Sequence, residues 1–208
     1  MTTDYKFTPE LHAFLTEPSN LDIALEVAEG VETIRREVFE QFWRRVKEQL
    51  SAELNRHSYQ KQWEVRSGDD IFAERYPYCG IYWRHRDWQF FAVMFECLTG
   101  TNYPAYYGIW RGKEISAQAR DVRDQALSTQ LAAEDLVTDE GIGWVGLRYL
   151  HDLGLPEFRV TKKEDVLRLN EDNRAPDHPL AHKLASLLWD LFDKHRAALE
   201  DLNTKYPY

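Results

Sequence analysis

The 208-residue chain has only two cysteines, Cys79 and Cys97, too few for a small secreted domain stapled by disulfides. No run approaches the ~20 consecutive apolar residues a membrane helix needs. Met1 to Glu10 has no apolar core of the kind a secretory leader carries. Together these absences lead us to expect a cytoplasmic protein with reduced thiols and no membrane partner. Positive charge is also in deficit: 26 Lys and Arg stand against 35 Asp and Glu, a net charge of −9. That argues against a generic nucleic-acid binder, whose affinity comes from a field of Lys and Arg, but leaves room for a local basic patch. Nothing marks disorder, because hydrophobic residues are 43% of the chain, enough for a sizeable core.

What is abundant is aromatic: seven Trp, eleven Tyr and ten Phe. Thr8-Pro9-Glu10 reads as a helix start, Thr8 capping and Pro9 in the first turn. Asn20 is expected to cap a second helix from Leu21. There Val31, Ile34, Val38, Phe42, Val46, Leu50 and Leu54 recur at helical spacing, with a kink at Gly30 in view. Trp63–Arg66, Tyr78–His85, Trp88–Cys97, Pro104–Arg111 and Gly143–Leu150 read as strands. Ile115–Leu136 and Glu164–Leu169 read as helices, and a last long helix starts at Pro179. Helices, then an antiparallel meander, then helices give an α+β fold. The expected form is a β-meander of three to five strands packed with long N- and C-terminal amphipathic helices. Residues 1–19 form an N-terminal helical segment and 20–208 a single α+β domain.

A tight hairpin at Arg86-Asp87 would set Tyr82 opposite Phe91 and Gly80 opposite Val93. With Phe95 opposite Tyr106, Phe91 would face Trp110 and Val93 would face Gly108. One face would then carry Ile81, Trp83, Trp88, Phe90, Ala92, Met94, Tyr107 and Ile109 under the long N-terminal helix. The other would hold a shallow trough, Gly80-Val93-Gly108, between aromatic rows containing Tyr82, Phe91 and Trp110 on one side and Tyr78, Phe95 and Tyr106 on the other. The trough is either a ligand groove or the seat of the C-terminal helix, which glycine would let approach closely.

The alternating strands also gather Arg84, His85, Arg86, Arg111 and Lys113 beside Trp83, Trp88 and Trp110. Cations among aromatics suit single-stranded nucleic acid, which needs phosphate neutralisation and base stacking. The bland alternative is a solvated edge whose long side chains cover apolar surface. The candidate ligand-binding residues are Tyr82, Arg84, Arg86, Phe91, Tyr106, Gly108, Trp110, Arg111 and Lys113. No catalytic residue, metal ligand or cofactor is assigned.

Gly141-Ile142-Gly143-Trp144-Val145-Gly146 has dinucleotide-loop spacing, but acidic Asp139 and Glu140 precede it and no helix follows, so it reads as a turn into a strand. His178 and His182 stand four apart as metal ligands can, yet Pro179 makes His178 a helix cap. Cys79 and Cys97 fall on opposite faces of the expected sheet and read as buried thiols. Asp69, Asp70 and Glu74 are loop carboxylates that could serve a metal-dependent phosphodiesterase.

Phe42-Trp43-Arg44-Arg45-Val46, the hairpin strands, Tyr106-Tyr107-Gly108-Ile109, Trp144, Glu157-Phe158 and the final helix form a layout. It resembles the C-terminal region of one group of bacterial and phage PD-(D/E)XK nuclease-superfamily proteins, over residues from about 20 to 205. In that family an Asp and an acidic-x-Lys triplet lie upstream. Here Asp4-Tyr5-Lys6 has no preceding Asp, and Pro176-Asp177 has no acidic-x-Lys after it. The resemblance implies an accessory, non-catalytic module without the nuclease half, linked to nucleic-acid processing or phage–host conflict. Its partner would be nucleic acid, a nucleotide-like ligand or a protein. The alternatives are a phosphodiesterase or nuclease with an unrecognised carboxylate site, and a structural partner domain that exposes an apolar helix face.

Overall fold

The computed structural model describes residues 8–67, 80–87, 92–96, 104–111, 122–139 and 143–203. Cys79, Cys97, Asp69, Asp70, Glu74, Phe91 and Lys113 lie outside these residues. The described elements run α1 (Pro9–Thr16), α2 (Pro18–Arg56), β1 (Trp63–Ser67), β2 (Gly80–His85), β3 (Ala92–Glu96), β4 (Tyr106–Trp110), α3 (Val122–Ala132), β5 (Val137–Asp139), β6 (Trp144–Tyr149), α4 (Lys163–Arg174) and α5 (Pro179–Asn203). The fold is α+β, as expected. Among the described residues its sheet has six strands rather than the three to five expected, all antiparallel, in the order β1-β2-β3-β4-β6-β5. The chain divides into two compact units, Met1–Glu37 and Val38–Tyr208. No described helix is long and apolar enough to cross a membrane.

In the first unit, Thr8 caps α1 as its sequence demands, its Oγ1 accepting from Leu11 N–H at 3.3 Å. Asn20 is not a cap. Helix α2 already begins at Pro18, and Asn20 Nδ2 instead donates to the Phe14 carbonyl at the end of α1. Leu11, Phe14, Leu21, Ile23, Leu25, Val27 and Ile34 are all exposed. The helix runs through Gly30, where an added Cβ would meet nothing within 4 Å. A helix-interior glycine costs backbone entropy. Gly30→Ala is therefore expected to stabilise by about 0.5–1 kcal/mol. A urea titration showing a loss instead would mean that the position needs glycine for a contact outside the chain.

In the second unit, one face of the sheet packs against the stripe Phe39, Phe42, Trp43, Val46, Leu50 and Leu54 of α2. Trp43 lies 6.0 Å from Phe95 of β3 and 5.3 Å from Phe158, ring centre to ring centre. Phe158 is buried with φ +59°, a left-handed conformation rare for a bulky residue, and its ring fills the space under Phe42 and Trp43. Helix α5 covers the same face, with Trp189 and Phe192 5.4 and 5.1 Å from Trp83. The C-terminal helix thus does not occupy the second face, as one sequence reading had it.

The strand register differs from the tight-hairpin expectation. Trp83 pairs with Val93, Tyr82 with Met94 and Gly80 with Glu96, while Phe95 pairs with Tyr107 rather than Tyr106. The physical reason lies in the turn. Arg-Asp supplies no glycine for the positive φ a two-residue hairpin needs, and Arg86 N–H still bonds to the Gln62 carbonyl on the β1 side. Because side chains alternate along a strand, shifts of three and one residues turn β3 over. Val93 and Phe95 face the main core. Ala92, Met94 and Glu96 take the second face. Gly80 and Gly108 then fall in different rows, and the expected trough does not form.

At α5, His178 takes the N-cap position as the sequence implies, its carbonyl accepting from His182 N–H at 3.0 Å, but the side chain that caps the helix start is that of Asp172. The Asp172 carboxylate of α4 accepts from Leu180 N–H at 2.7 Å and Ala181 N–H at 3.3 Å, all buried. Both ring nitrogens of His178 are engaged, Nδ1 with the Asp172 carbonyl at 2.8 Å and Nε2 with Arg45 at 2.7 Å. Nδ1 must donate to a carbonyl, so Nε2 accepts from the guanidinium. With both ring nitrogens so engaged, His178 has none left for a metal shared with His182, which is exposed. Asp172→Ala is expected to cost about 2 kcal/mol, since it strips a buried helix start of its acceptor. A urea midpoint unchanged from wild type would refute that role.

Candidate nucleic-acid interface

The β1–β2 pair builds the site. Trp63 and Val65 of β1 face the core, so alternation sends Glu64 and Arg66 to the second face. Pairing sets Glu64 opposite Arg84 and Arg66 opposite Tyr82. Three arginines then converge on one carboxylate. Glu64 Oε1 lies 2.6 Å from Arg66 Nε and 3.5 Å from Arg84 Nε, and Oε2 lies 3.2 Å from Arg86 Nη1. Arg86 Nη2 also reaches the Gln60 carbonyl at 3.3 Å. The Glu64 side chain is only 14% exposed, whereas those of Arg66 and Arg86 remain about half exposed, at 50% and 51%. Among the described residues three arginines thus share one carboxylate here, in a chain that is acidic overall.

The aromatic members share the second face. Tyr82 and Trp110 are half-buried beside a small cluster of Met94, Tyr106, Trp144 and Leu147. Tyr106 meets Trp144 edge to face at 5.2 Å and Tyr149 at 5.7 Å. Gly108 is flat against β6, where an added Cβ would strike the Gly146 carbonyl oxygen. The row from Glu64 runs through Arg84 of β2, and Ala92 of β3 leads on to Trp110 of β4 and Trp144 of β6. Arg111 is buried, its N–H bonded to the Gly143 carbonyl at 2.8 Å. Arg84, Arg86, Tyr82, Tyr106, Gly108 and Trp110 thus lie on or beside one face, as the alternation predicts.

His85 does not belong with them. It turns to the core side, its ring 5.4 Å from Trp63, and its Nδ1 accepts from Asp87 N–H. Burial holds its pKa below the ordinary value, against the opposing pull of Asp87 and Glu200, so it adds no charge at neutral pH. Sequence reasoning missed Glu64 and Arg66. The alternation in Trp63-Glu64-Val65-Arg66 was there to be read, but their meeting with Arg84 and Arg86 needs the β1–β2 pairing. Gly143, with φ +84°, leads directly into β6, so the glycine-rich stretch ends in a turn and a strand.

A second titratable group sits on the core side. Buried His195 of α5 bonds through Nε2 to Glu134 Oε1 at 3.0 Å, and Lys194 reaches the same oxygen at 2.8 Å. Burial lowers the His195 pKa below 6.5, outweighing Glu134, so the neutral ring donates from Nε2. Burial pushes Glu134 up, but Lys194 and His195 together hold it below 4.5. Both shifts work in the same direction. As pH falls below about 6.5 the unfolded chain takes up the histidine proton before the fold does, and stability declines. A further loss follows below about 4.5 as Glu134 is protonated. Melting should therefore be lower at pH 5.5 than at pH 7.5, with a smaller difference in His195→Gln. Equal differences in the two proteins would rule this source out.

Comparison with protein-family models, with curated proteins and with solved structures finds no match to this chain.

Proposed function

We propose that this protein is a non-catalytic binding module that holds nucleic acid or a nucleotide-like ligand on the second face of its sheet. The convergence of Arg66, Arg84 and Arg86 on Glu64 carries this reading. Guanidinium groups are suited to phosphate oxygens, and an aromatic on the same face such as half-buried Tyr82 suits base stacking. The resemblance to the accessory region of a PD-(D/E)XK group supports a setting in nucleic-acid processing or phage–host conflict. The test is fluorescence anisotropy with labelled single-stranded oligonucleotides at several salt concentrations. Arg86→Ala, an exposed change, is expected to weaken binding several-fold and to reduce the salt slope by about 0.7. No binding by the wild-type protein at low salt would sink the proposal.

A second reading has its own observation. Seven large apolar side chains lie exposed on α1 and the first part of α2, a concentration of the kind that marks an interaction surface. A protein partner covering these helices would make the chain a component of an assembly. A monomer by light scattering that retains no partner from its own host's lysate would count against this reading.

A further inference from the structure

We propose that Glu64 is a built-in competitor for the anion this face binds: its carboxylate holds the place of a phosphate among Arg66, Arg84 and Arg86, and the backbone of single-stranded nucleic acid displaces it. This inference rests on the binding-module reading and adds how the site is regulated.

The geometry points there because the cluster is unbalanced. Only Oε2 accepts a hydrogen bond, from Arg86, while Oε1 lies within ion-pair distance of Arg66 and Arg84 without a hydrogen bond from either. Each guanidinium carries five N–H donors, so two carboxylate oxygens cannot satisfy three of them. A structural ion pair needs one arginine. The other two add mutual repulsion that an anion between them relieves. Arg66 and Arg86 keep half their side-chain surface in solvent, so an incoming anion reaches the cluster from outside. A carboxylate tethered to β1 pairs at short range but cannot follow a backbone that carries successive phosphates. A polyanion has the advantage of several contacts and of counterion release.

Glu64 therefore sets a threshold. It neutralises the cluster in the free protein, weakens attraction for isolated anions and yields to a strand long enough to engage the neighbouring aromatic rows. The expected ligand is single-stranded, because only unpaired bases can stack on an aromatic such as Tyr82.

The experiment compares wild type, Glu64→Gln and Glu64→Asp by anisotropy with a labelled oligothymidylate, a duplex of equal length and a poly-glutamate competitor. Thermal melts of each variant, with and without oligothymidylate, run alongside. Glu64→Gln should bind the single strand roughly three- to tenfold more tightly at low salt, with a salt slope steeper by about 0.7. Its melting temperature without ligand should fall, and oligothymidylate should restore more of it than in wild type. Glu64→Asp draws the carboxylate back by one methylene while keeping its charge, so it should fold and show intermediate affinity. Wild type that binds, with neither variant binding more tightly, overturns the competitor role and leaves the binding module standing. No binding by any of the three proteins overturns both. Tighter binding of the duplex, or poly-glutamate competing as well as the oligonucleotide at equal charge, overturns single-stranded nucleic acid as the ligand.

Discussion

Trp43→Ala is expected to lower stability by about 3–5 kcal/mol, the largest loss from any single core truncation considered for this chain. Trp43 is fully buried at the centre of the main core. Its ring meets Phe42 of its own helix at 5.3 Å, Phe95 of the sheet at 6.0 Å and Phe158 of the loop after β6 at 5.3 Å. One side chain thus joins a helix, the sheet and a loop. The cavity would also remove the packing that holds Phe158 at φ +59°, a conformation that costs energy unless its surroundings enforce it. For a chain of this size the loss corresponds to roughly 6–20 °C in Tm. Trp43→Phe should cost far less, about 1–1.5 kcal/mol. It keeps most of the ring, and the buried indole N–H it deletes has no acceptor among the described residues. Urea titrations separate these cases. If Trp43→Ala moves the midpoint no further than Trp43→Phe, the core does not turn on this residue.

Much of this arrangement was readable from the residues alone. The stripe Phe42, Val46, Leu50, Leu54 fixes which side of α2 is buried, and strand alternation correctly sends Ile81, Trp83, Tyr107 and Ile109 to one face and Tyr82, Tyr106 and Trp110 to the other. Alternation within a strand is local. Register between strands is not, and it depends on where the chain turns. Arg86-Asp87 marks a turn without fixing its length, so β3 was assigned the wrong face. That error placed Val93 between two glycines and produced a trough where the protein has Met94 and Glu96 in separate rows. Asn20 failed as a cap although it is a competent one by type, because α2 already starts at Pro18. His178 does stand at the N-cap of α5, but the side-chain acceptor comes from Asp172 on α4, which no local pattern reveals. The arginine cluster was half legible. Arg84 and Arg86 stand out in the sequence, while Glu64 and Arg66 join them only across a strand pair. The short edge strand β5 has three residues and carries too little pattern to be seen.

Gly108→Ala should be nearly as damaging, at about 3 kcal/mol, although it adds only one methyl group. Gly108 of β4 pairs with Leu147 of β6 just before the register shifts between Ile109 and Trp110. The two strands approach so closely there that a Cβ would strike the Gly146 carbonyl oxygen and lie 2.8 Å from the Leu147 Cα. These are backbone atoms of a paired strand, and they can retreat only if the ladder opens. Gly146→Ala offers the contrast. Its Cβ would press on the Leu131 side chain at 2.9 Å and the Leu136 Cβ at 3.1 Å, groups on α3 and its exit that can shift, so about 1–2 kcal/mol is expected. Gly30→Ala, in open space, should be mildly stabilising. The order Gly108, Gly146, Gly30 is thus set by what each absent methyl would touch. It also separates fold from function, because Gly108 lies between Tyr106 and Trp110 on the proposed binding face. If the two strands part there, the aromatic rows part with them, and oligonucleotide affinity should fall together with stability. In Gly146→Ala, whose clash is with α3 and its exit rather than with β4, affinity should outlast the loss of stability. A Gly108→Ala protein as stable as wild type would mean that β4 and β6 are not held this close in solution, and the placement of Trp110 beside Trp144 would fall with it.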